Sequence, residues 1–348
     1  MNPLVEEQPQ IAPVTVPPSS PPTPDRTATS IWSTIVPYIS IARPDHWCKN
    51  VFMALGVVLA YFYEPTLWGP HSLAMIALGV LATCLVASSN YVINELLDAK
   101  HDRHHPVKCQ RPIPSGRVRE SWAYAEWIGL GVVGLGLSWI VGPPFFATAA
   151  LLLFMGLIYN IPPIRTKELP YVDVLSESVN NPIRLGLGWF AAGQTAVPPL
   201  SLLIAYWMVG AFFMGAKRFS EYRSIGDPAV AAAYRSSFRH YDESKLLVSL
   251  FFYATATALF LGIFIVRHHM ELILCVPLMA GFFSYYLHVA LKHESAAQAP
   301  ERLYKERGLM IYLVICLLAF VACMFVSIPA LYEWFGAEPS RVTPLWKL

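Results

Sequence analysis

The sequence predicts an all-α fold, a polytopic transmembrane bundle of about nine helices. The chain of 348 residues is 55% apolar and only 14% charged, with a mean hydropathy of +0.46. A soluble domain carries nearer a quarter charged residues. Nine apolar runs follow one another along the chain, and Lys and Arg collect in alternate loops between them. Six scattered cysteines without a close pair argue against a disulfide framework or a zinc site.

The apolar runs locate the predicted helices in chain order. They lie at about 51–63, 72–93, 122–141, 144–161, 171–192, 198–216, 246–266, 270–291 and 309–331. Polar residues interrupt the fifth run, and the amphipathic stretch 32–42 would lie along the membrane interface before the first. Residues 1–30 hold eight prolines among polar residues. We therefore divide the chain into a disordered Pro-rich tail at 1–30 and a transmembrane domain at 31–348.

The distribution of Lys and Arg between the loops predicts the orientation. The loops after the second, fourth, sixth and eighth runs are basic. The alternate loops near 64–71, 142–143 and 193–197 contain no Lys or Arg, and 267–269 contains only Arg267. Cytoplasmic loops are enriched in Lys and Arg. We therefore predict that the N-terminus and the basic loops are cytoplasmic.

A polar stretch from Asn94 to Pro112 follows directly on the second run. If the helix of that run continues, four of its polar residues share an arc of about 100° on one face: Asn94, Glu95, Asp98 and Asp102. Carboxylates crowded on one face repel one another, and oxygen-rich sites of this kind suit Mg²⁺. We predict metal ligands here, followed by Lys108 and Arg111 as phosphate-binding residues. The alternative, a solvated juxtamembrane loop, explains the basic residues but not the acids.

A second polar face opens the fifth run. Its members repeat at three- and four-residue spacing: Asp173, Glu177, Asn180, Asn181 and Arg184. Ionisable residues in a membrane helix are costly and usually face a polar cavity. We expect Asp173 to join the metal ligands across such a cavity, so that the metal ions bridge a diphosphate leaving group. Glu177, Asn181 and Arg184 would then line the side of the acceptor. The alternative is an internal ion pair of Arg184 with Asp173 or Glu177 that only fixes helix packing.

Two basic segments complete the candidate site. The segment from Tyr159 to Lys167 includes Arg165, and the end of the sixth run carries Lys217 and Arg218. Their side chains would hold phosphate oxygens, the arginines through the planar fork of the guanidinium. For Lys217 and Arg218 the alternative is a positive-inside anchor whose side chains extend to the membrane interface.

Past residue 40, nearly the whole chain resembles the UbiA family of intramembrane prenyltransferases. The family pattern N-D-x-x-D-x-x-x-D is matched at four positions, by Asn94, Glu95, Asp98 and Asp102. Glu95 stands where the family usually has its first Asp. The resemblance implies a UbiA-like helical bundle at 31–348 and Mg²⁺ as the cofactor, held by Glu95, Asp98, Asp102 and Asp173.

Within the family, several stretches resemble the decaprenyl-phosphate phosphoribosyltransferase-like subgroup. They lie at 43–50, 102–108, 111–116, 217–221, 237–241 and 300–307. This implies transfer of a 5-phosphoribosyl group from phosphoribosyl diphosphate to a polyprenyl phosphate. By contrast, the sequence YNIPPIRTK from Tyr159 to Lys167 is similar to the Y-S-x-P-P-L-K-x-K element of relatives that prenylate ring acceptors.

Two other functions stay open at this point. One is prenyl transfer from a polyprenyl diphosphate to an aromatic or other ring, with Tyr159 and Trp189 shielding an allylic cation. The other is a transporter, suggested by intramembrane charges and two similar halves, although the polar residues lie at cytoplasmic span ends. We expect three partners, namely a polyisoprenoid lipid, a diphosphate-bearing donor and the bilayer, and no nucleic acid. The oligomeric state stays open. The predicted location is the bacterial inner (plasma) membrane, with the active site cytoplasmic.

Overall fold

The computed structural model describes residues 31–103, 108–292, 295–298, 300–336 and 346–347, and these are almost entirely helical. The α-helices are α1 Ile31–Ile41, α2 Met53–Tyr63, α3 Pro70–Asp102, α4 Glu120–Val141, α5 Pro143–Asn160, α6 Val172–Ser178, α7 Asn180–Ala191, α8 Leu200–Ile225, α9 Pro228–Tyr234, α10 Glu243–His268, α11 Val276–Ala290, α12 Arg307–Phe325 and α13 Pro329–Phe335. Short 3-10 segments lie at Pro44–Phe52, Pro65–Leu67, Lys108–Gln110, Thr166–Glu168, Ser236–Arg239, Met270–Cys275, Ala296–Gln298 and Pro300–Lys305. Two two-residue strands, β1 Val326–Ser327 and β2 Trp346–Lys347, pair in parallel. The predicted all-α fold is confirmed, and the predicted tail at 1–30 lies outside the described residues.

Each predicted apolar run contains a helix. Seven helices in the described part of the chain are long and apolar enough to cross a membrane, namely α3, α4, α5, α8, α10, α11 together with its preceding 3-10 segment, and α12. The first run is the short helix α2, which continues the 3-10 segment Pro44–Phe52. The fifth is α6 and α7, which meet at Val179. The protein is therefore an integral membrane protein with two irregular helical segments among its regular spans.

Helix α3 is longer than the apolar run that predicted it. It has 33 residues. At 1.5 Å per residue this is about 50 Å, whereas the hydrocarbon core of a bilayer is about 30 Å thick. The helix therefore has room to cross and still carry its last turns, from Asn94 onward, into the polar region. Helix α8 likewise continues to Ile225, past the predicted end at 216. These polar extensions carry much of the candidate site.

Helix α7 lies between two groups of helices. On one side, α3 packs against α4 and α5, and on the other, α8 packs against α10 and α6. Helix α7 contacts α2, α3, α5 and α8. Its Leu187 belongs to the apolar cluster around Phe145 and Val86, and its Leu185 to the cluster that includes Leu59 and Leu202. The polar residues of α6 and α7 are thus held between both groups.

Helices α2 and α7 approach each other at their backbones. A Cβ on Gly56 would lie 1.9 Å from the carbonyl oxygen of Leu185, and a Cβ on Gly188 would lie 1.9 Å from that of Met53. Small residues permit such close helix crossings in membranes. The crossing fixes the segment that precedes α2, including Asn50, against α7.

Candidate active site

The predicted polar face of α3 exists, and a loop that follows α5 covers it. The Lys167 amino group lies 2.6 Å from Asp98 Oδ1 and 3.1 Å from Asn94 Oδ1. Arg165 donates to the same oxygen of Asp98 at 3.0 Å. Burial lowers the pKa of Lys167, although the Asp98 carboxylate opposes this shift. The segment predicted to bind phosphate therefore meets the segment predicted to bind metal.

The last turn of α3 is held by the loop that follows it. Arg111 donates to Asp102 Oδ2 at 2.7 Å, and the Lys108 amino group lies 3.9 Å from Asp102 Oδ1. Glu95 is buried, and its Oε1 accepts the backbone N–H of Ile113 at 3.1 Å. Asp102 is thus paired with cations, whereas Glu95 holds the loop backbone in place.

A second cluster forms around Arg218, on the polar extension of α8. Its side chain is only 3% exposed. It donates to Asp173 at 3.3 Å, to Glu177 at 2.9 Å and to Glu221 at 3.1 Å. The Lys217 amino group lies 4.0 Å from Glu221. The predicted phosphate-binding Arg218 is therefore engaged by three carboxylates.

Asp173 is the most enclosed acid of this cluster, with no exposed surface. Besides Arg218, it pairs with Arg235 at 3.3 Å. It accepts hydrogen bonds from Ser237 at 3.2 Å and from the Tyr241 hydroxyl at 2.8 Å. Burial and the Asp173 carboxylate both raise the pKa of Tyr241, so its hydroxyl stays protonated and donates. Both oxygens of Asp173 are thus occupied by protein donors.

Neighbouring residues at the end of α5 join the two clusters. The Tyr159 hydroxyl donates to Glu177 at 3.0 Å. The next residue, Asn160, accepts from Lys167 at 3.1 Å. The Asp98 and Asp173 clusters are therefore held by two consecutive residues of one helix. Trp189 lies elsewhere, since its indole N–H donates to the carbonyl of Ala196 at 2.7 Å in the loop after α7.

The remaining predicted residues lie on α7. Arg184 pairs with neither Asp173 nor Glu177, so the internal ion pair considered from the sequence does not form. Instead its Nε donates to Asn50 Oδ1 at 3.0 Å. Asn181 packs against α8, because a Cβ on Gly210 would lie 2.3 Å from its Nδ2.

Several contacts were not predicted from the sequence. They involve Asn50, Asn160, Glu221, Arg235 and Tyr241. The resemblance drew attention to 43–50, 217–221 and 237–241, which include Asn50, Glu221 and Tyr241, but it gave them no partners. Asn160 lies in the predicted segment from Tyr159 to Lys167, but no role of its own was predicted for it.

The donor chemistry of α3 fits Mg²⁺. Among the described residues, no three His, Cys, Asp or Glu side chains gather closely enough to hold a metal by themselves. Protein Mg²⁺ sites commonly use one or two carboxylates, completed by water and substrate phosphates. The Asp98 and Asp102 side chains, 22% and 7% exposed, supply such carboxylates on one helical face. Glu95 Oε1 accepts a backbone N–H, and both oxygens of Asp173 are occupied by protein donors.

Comparisons with known proteins agree with this architecture. The decaprenyl-phosphate phosphoribosyltransferase of Mycobacterium tuberculosis is 29% identical over 232 residues, which are 65% of this chain and 72% of that protein. Nodulation protein NoeC of Azorhizobium caulinodans is 27% identical over 239 residues, 67% of this chain and 74% of that protein. The solved structure of a UbiA homolog from Archaeoglobus fulgidus bound to DMAPP and Mg²⁺ superposes with a TM-score of 0.62 at 19% identity, covering 85% of this chain and 99% of that one. The last likeness shows the shared fold.

A family model matches most of the described bundle. It is the model of the UbiA prenyltransferase family, and it matches residues 50–313, which include α2 to α11 and both polar clusters. The family is named for prenyl transfer, which favours an enzyme over the transporter considered from the sequence. The chain belongs to the UbiA prenyltransferase family.

Proposed function

We propose that this protein transfers a 5-phosphoribosyl group from phosphoribosyl diphosphate to a polyprenyl phosphate, with Mg²⁺ as cofactor. The observation that carries the proposal is the pairing of two α3 carboxylates, Asp98 and Asp102, with basic side chains from two different loops. Asp98 meets Arg165 and Lys167, and Asp102 meets Arg111 and Lys108. Alternating carboxylates and cations suit a metal-bound diphosphate, since the acids hold the metal and the bases hold phosphate oxygens. The similarity to decaprenyl-phosphate phosphoribosyltransferase supports the same substrates.

In the proposed reaction, the bond between the ribose anomeric carbon and the diphosphate oxygen breaks, and the diphosphate leaves with the electron pair. A phosphate oxygen of the lipid forms the new bond to the same carbon. Mg²⁺ supplies charge neutralisation at the departing diphosphate. Asp98 and Asp102 are the proposed metal ligands, with Asn94 orienting them. Lys108, Arg111, Arg165 and Lys167 turn from these acids to the phosphate oxygens when the donor binds.

The acceptor in this reaction needs no general base. A phosphate monoester is ionised at neutral pH, because its second pKa is about 6. The acids nearest the α3 face do not have to remove a proton, and Asp173 and Glu177 are held by Arg218. A ring acceptor must lose an O–H or C–H proton and therefore needs a group that accepts it. The arrangement therefore favours a phosphate acceptor.

The basic loops set the proposed orientation. The donor is a water-soluble diphosphate, and the polar ends of α3 and α8 are the parts of the bundle that carry its proposed binding residues. By the positive-inside rule these ends face the cytoplasm. We therefore place the active site at the cytoplasmic face of a bacterial inner membrane.

The test offers purified protein two substrate sets with Mg²⁺. The first is phosphoribosyl diphosphate with a polyprenyl phosphate, and the second is a polyprenyl diphosphate with aromatic ring acceptors. We expect diphosphate release and a phosphoribosylated lipid only in the first set. Diphosphate release in the second set alone would replace this proposal with ring prenylation.

A further inference from the structure

Arg184 is a buried cation whose protein partners are neutral. It is 8% exposed. Its Nε donates to Asn50 Oδ1 at 3.0 Å, and its Nη1 donates to the Asn180 carbonyl oxygen at 3.4 Å. A guanidinium has five N–H donors, so these bonds use two of them. A buried charge without a counter-charge is destabilising in a membrane helix. The position is therefore suited to an anion that comes from a ligand.

A second buried arginine, Arg218, has a different charge environment. Arg218 is also buried, yet three carboxylates surround it. The ion pairs between described residues do not include Arg184. Arg218, which holds helices together, is thus neutralised by carboxylates, whereas Arg184 contacts only amide and carbonyl oxygens.

Lys49 brings a second cation to the same place. It is accessible to solvent. Desolvation by the surrounding protein lowers the pKa of its amino group, Glu177 opposes this shift, and Arg184 and Lys217 add to it. Lys49 directly precedes Asn50, the partner of Arg184, in the segment Pro44–Phe52. This segment therefore places a second cation next to the residue that holds Arg184, and both cations would attract an anion.

An apolar cavity of about 260 Å³ lies against α2, the helix that follows the segment of Lys49 and Asn50. It lies among α2, α8, α10, α11 and α12, and its lining includes Leu55, Leu59, Tyr206, Phe213, Leu261 and Phe320. Tyr206 lines the cavity, and its ring meets that of Phe52, two residues after Asn50, with 6.5 Å between ring centroids. A ligand with an anionic head at Arg184 therefore has an apolar space for its chain beside Tyr206.

We propose that Arg184, Asn50 and Lys49 bind the phosphate of the lipid acceptor, and that its isoprenoid chain lies in the cavity bordered by Tyr206. This assignment rests on the proposed function. It places the acceptor phosphate at a second anion site, separate from Asp98 and Asp102, where the donor diphosphate binds.

The test measures binding of farnesyl phosphate and farnesol to the purified full chain without Mg²⁺ and without donor. Arg184→Met is expected to weaken farnesyl phosphate binding by about tenfold or more, the typical loss when a hydrogen bond to a charged group is removed. Farnesol binding should stay within about twofold, because the chain cavity is intact. Arg267→Met is the matched control, since Arg267 is an exposed arginine at the far end of α10.

A second variant keeps the site testable if Arg184→Met does not fold. Asn50→Asp has the same shape and gives Arg184 an internal carboxylate that competes with the phosphate. We expect weaker farnesyl phosphate binding with an equal or higher melting temperature. Wild-type binding in either folded variant, or equal losses for farnesol and farnesyl phosphate, would overturn the site. Phosphate-dependent binding that needs Arg184, in a protein that does not use phosphoribosyl diphosphate, would support the site and refute the proposed function.

Discussion

Lys167 Nζ lies 2.6 Å from Asp98 Oδ1, and this contact joins the loop after α5 to the polar end of α3. Arg165 reaches the same oxygen at 3.0 Å. A carboxylate shared by two cations holds both beside the place where we propose that the metal and the diphosphate bind. The proposed phosphate-binding side chains are thus held near the diphosphate site before the donor arrives, so that only a turn from Asp98 to the phosphate oxygens is needed, which reduces the ordering cost of binding.

Replacement of Asp98 tests the proposed metal site. Asp98→Ala removes a proposed ligand and leaves Arg165 and Lys167 without their shared anion. We expect diphosphate release to fall by about 100-fold or more, the scale of losing one preorganised electrostatic group. Rates of diphosphate release with phosphoribosyl diphosphate and a polyprenyl phosphate measure this loss. The control is Glu168→Gln, because Glu168 is an exposed partner of Arg165 in the same loop. Near wild-type turnover in folded Asp98→Ala would remove Asp98 from the mechanism.

The two buried arginines should respond oppositely to removal of their charge. Arg218→Met leaves Asp173, Glu177 and Glu221 without their shared cation, and breaking a buried pair costs about 3–5 kcal/mol. Arg184→Met removes a cation that has no carboxylate partner among the described residues, so we expect equal or greater stability. Thermal unfolding of both variants in the same detergent measures the difference. A comparable loss of stability in both would show that Arg184 has a structural role.

The sequence predicts the helices well because each apolar run is a local pattern. It also predicts the shared face of α3, since helical periodicity alone places Asn94 and Asp98 together. It does not predict which cation meets which carboxylate. Arg184 is close in sequence to Glu177, yet Arg218 takes that role because α6 packs against α8. Pairing across helices depends on tertiary packing, which a single sequence does not encode in any local pattern.

The metal requirement distinguishes the two predicted acidic faces. Asp102→Asn should raise the Mg²⁺ concentration for half-maximal activity by about 10- to 100-fold or more, because even partners outside the ligand shell have effects of that size. Asp173→Asn should leave it unchanged, since Asp173 is occupied by Arg218, Arg235 and Tyr241. Its effect should appear instead as a lower melting temperature. An increased Mg²⁺ requirement in Asp173→Asn would show that Asp173 is a metal ligand, as the sequence predicted.

Lys49 should give stability and lipid binding a pH dependence. Its pKa is lowered from 10.5, first by desolvation from the surrounding protein although part of the side chain reaches solvent, with Glu177 opposing and Arg184 and Lys217 adding to the shift. The charged amino group therefore costs stability below its folded-state pKa. Between the folded-state pKa and 10.5, the folded protein releases this proton while the unfolded chain keeps it. The free energy of unfolding therefore rises with pH in this range, and the cost disappears. We expect Lys49→Met to melt above wild type at pH 7 and the difference to shrink with rising pH.

Binding provides an independent check on Lys49. Wild-type affinity for farnesyl phosphate should fall as pH approaches 10.5, since the neutral amine loses its attraction for phosphate. In Lys49→Met the affinity should be lower at pH 7 and constant over the same range, because an arginine stays charged. A parallel decline in wild type and Lys49→Met would assign the pH dependence to another group.

The crossing of α2 and α7 should control lipid binding without any change of charge. In Gly188→Ala the added methyl group would lie 1.9 Å from the Met53 carbonyl oxygen, so α2 must move away and carry Asn50 from Arg184. Overpacking of this kind costs about 1–3 kcal/mol, and we expect weaker farnesyl phosphate binding with it. Gly262→Ala on α10 is the control, because its methyl group meets nothing within 4 Å and gains about 1 kcal/mol of helix propensity. If Gly188→Ala lowers the melting temperature but binds farnesyl phosphate as wild type does, the contact between Asn50 and Arg184 does not position the phosphate.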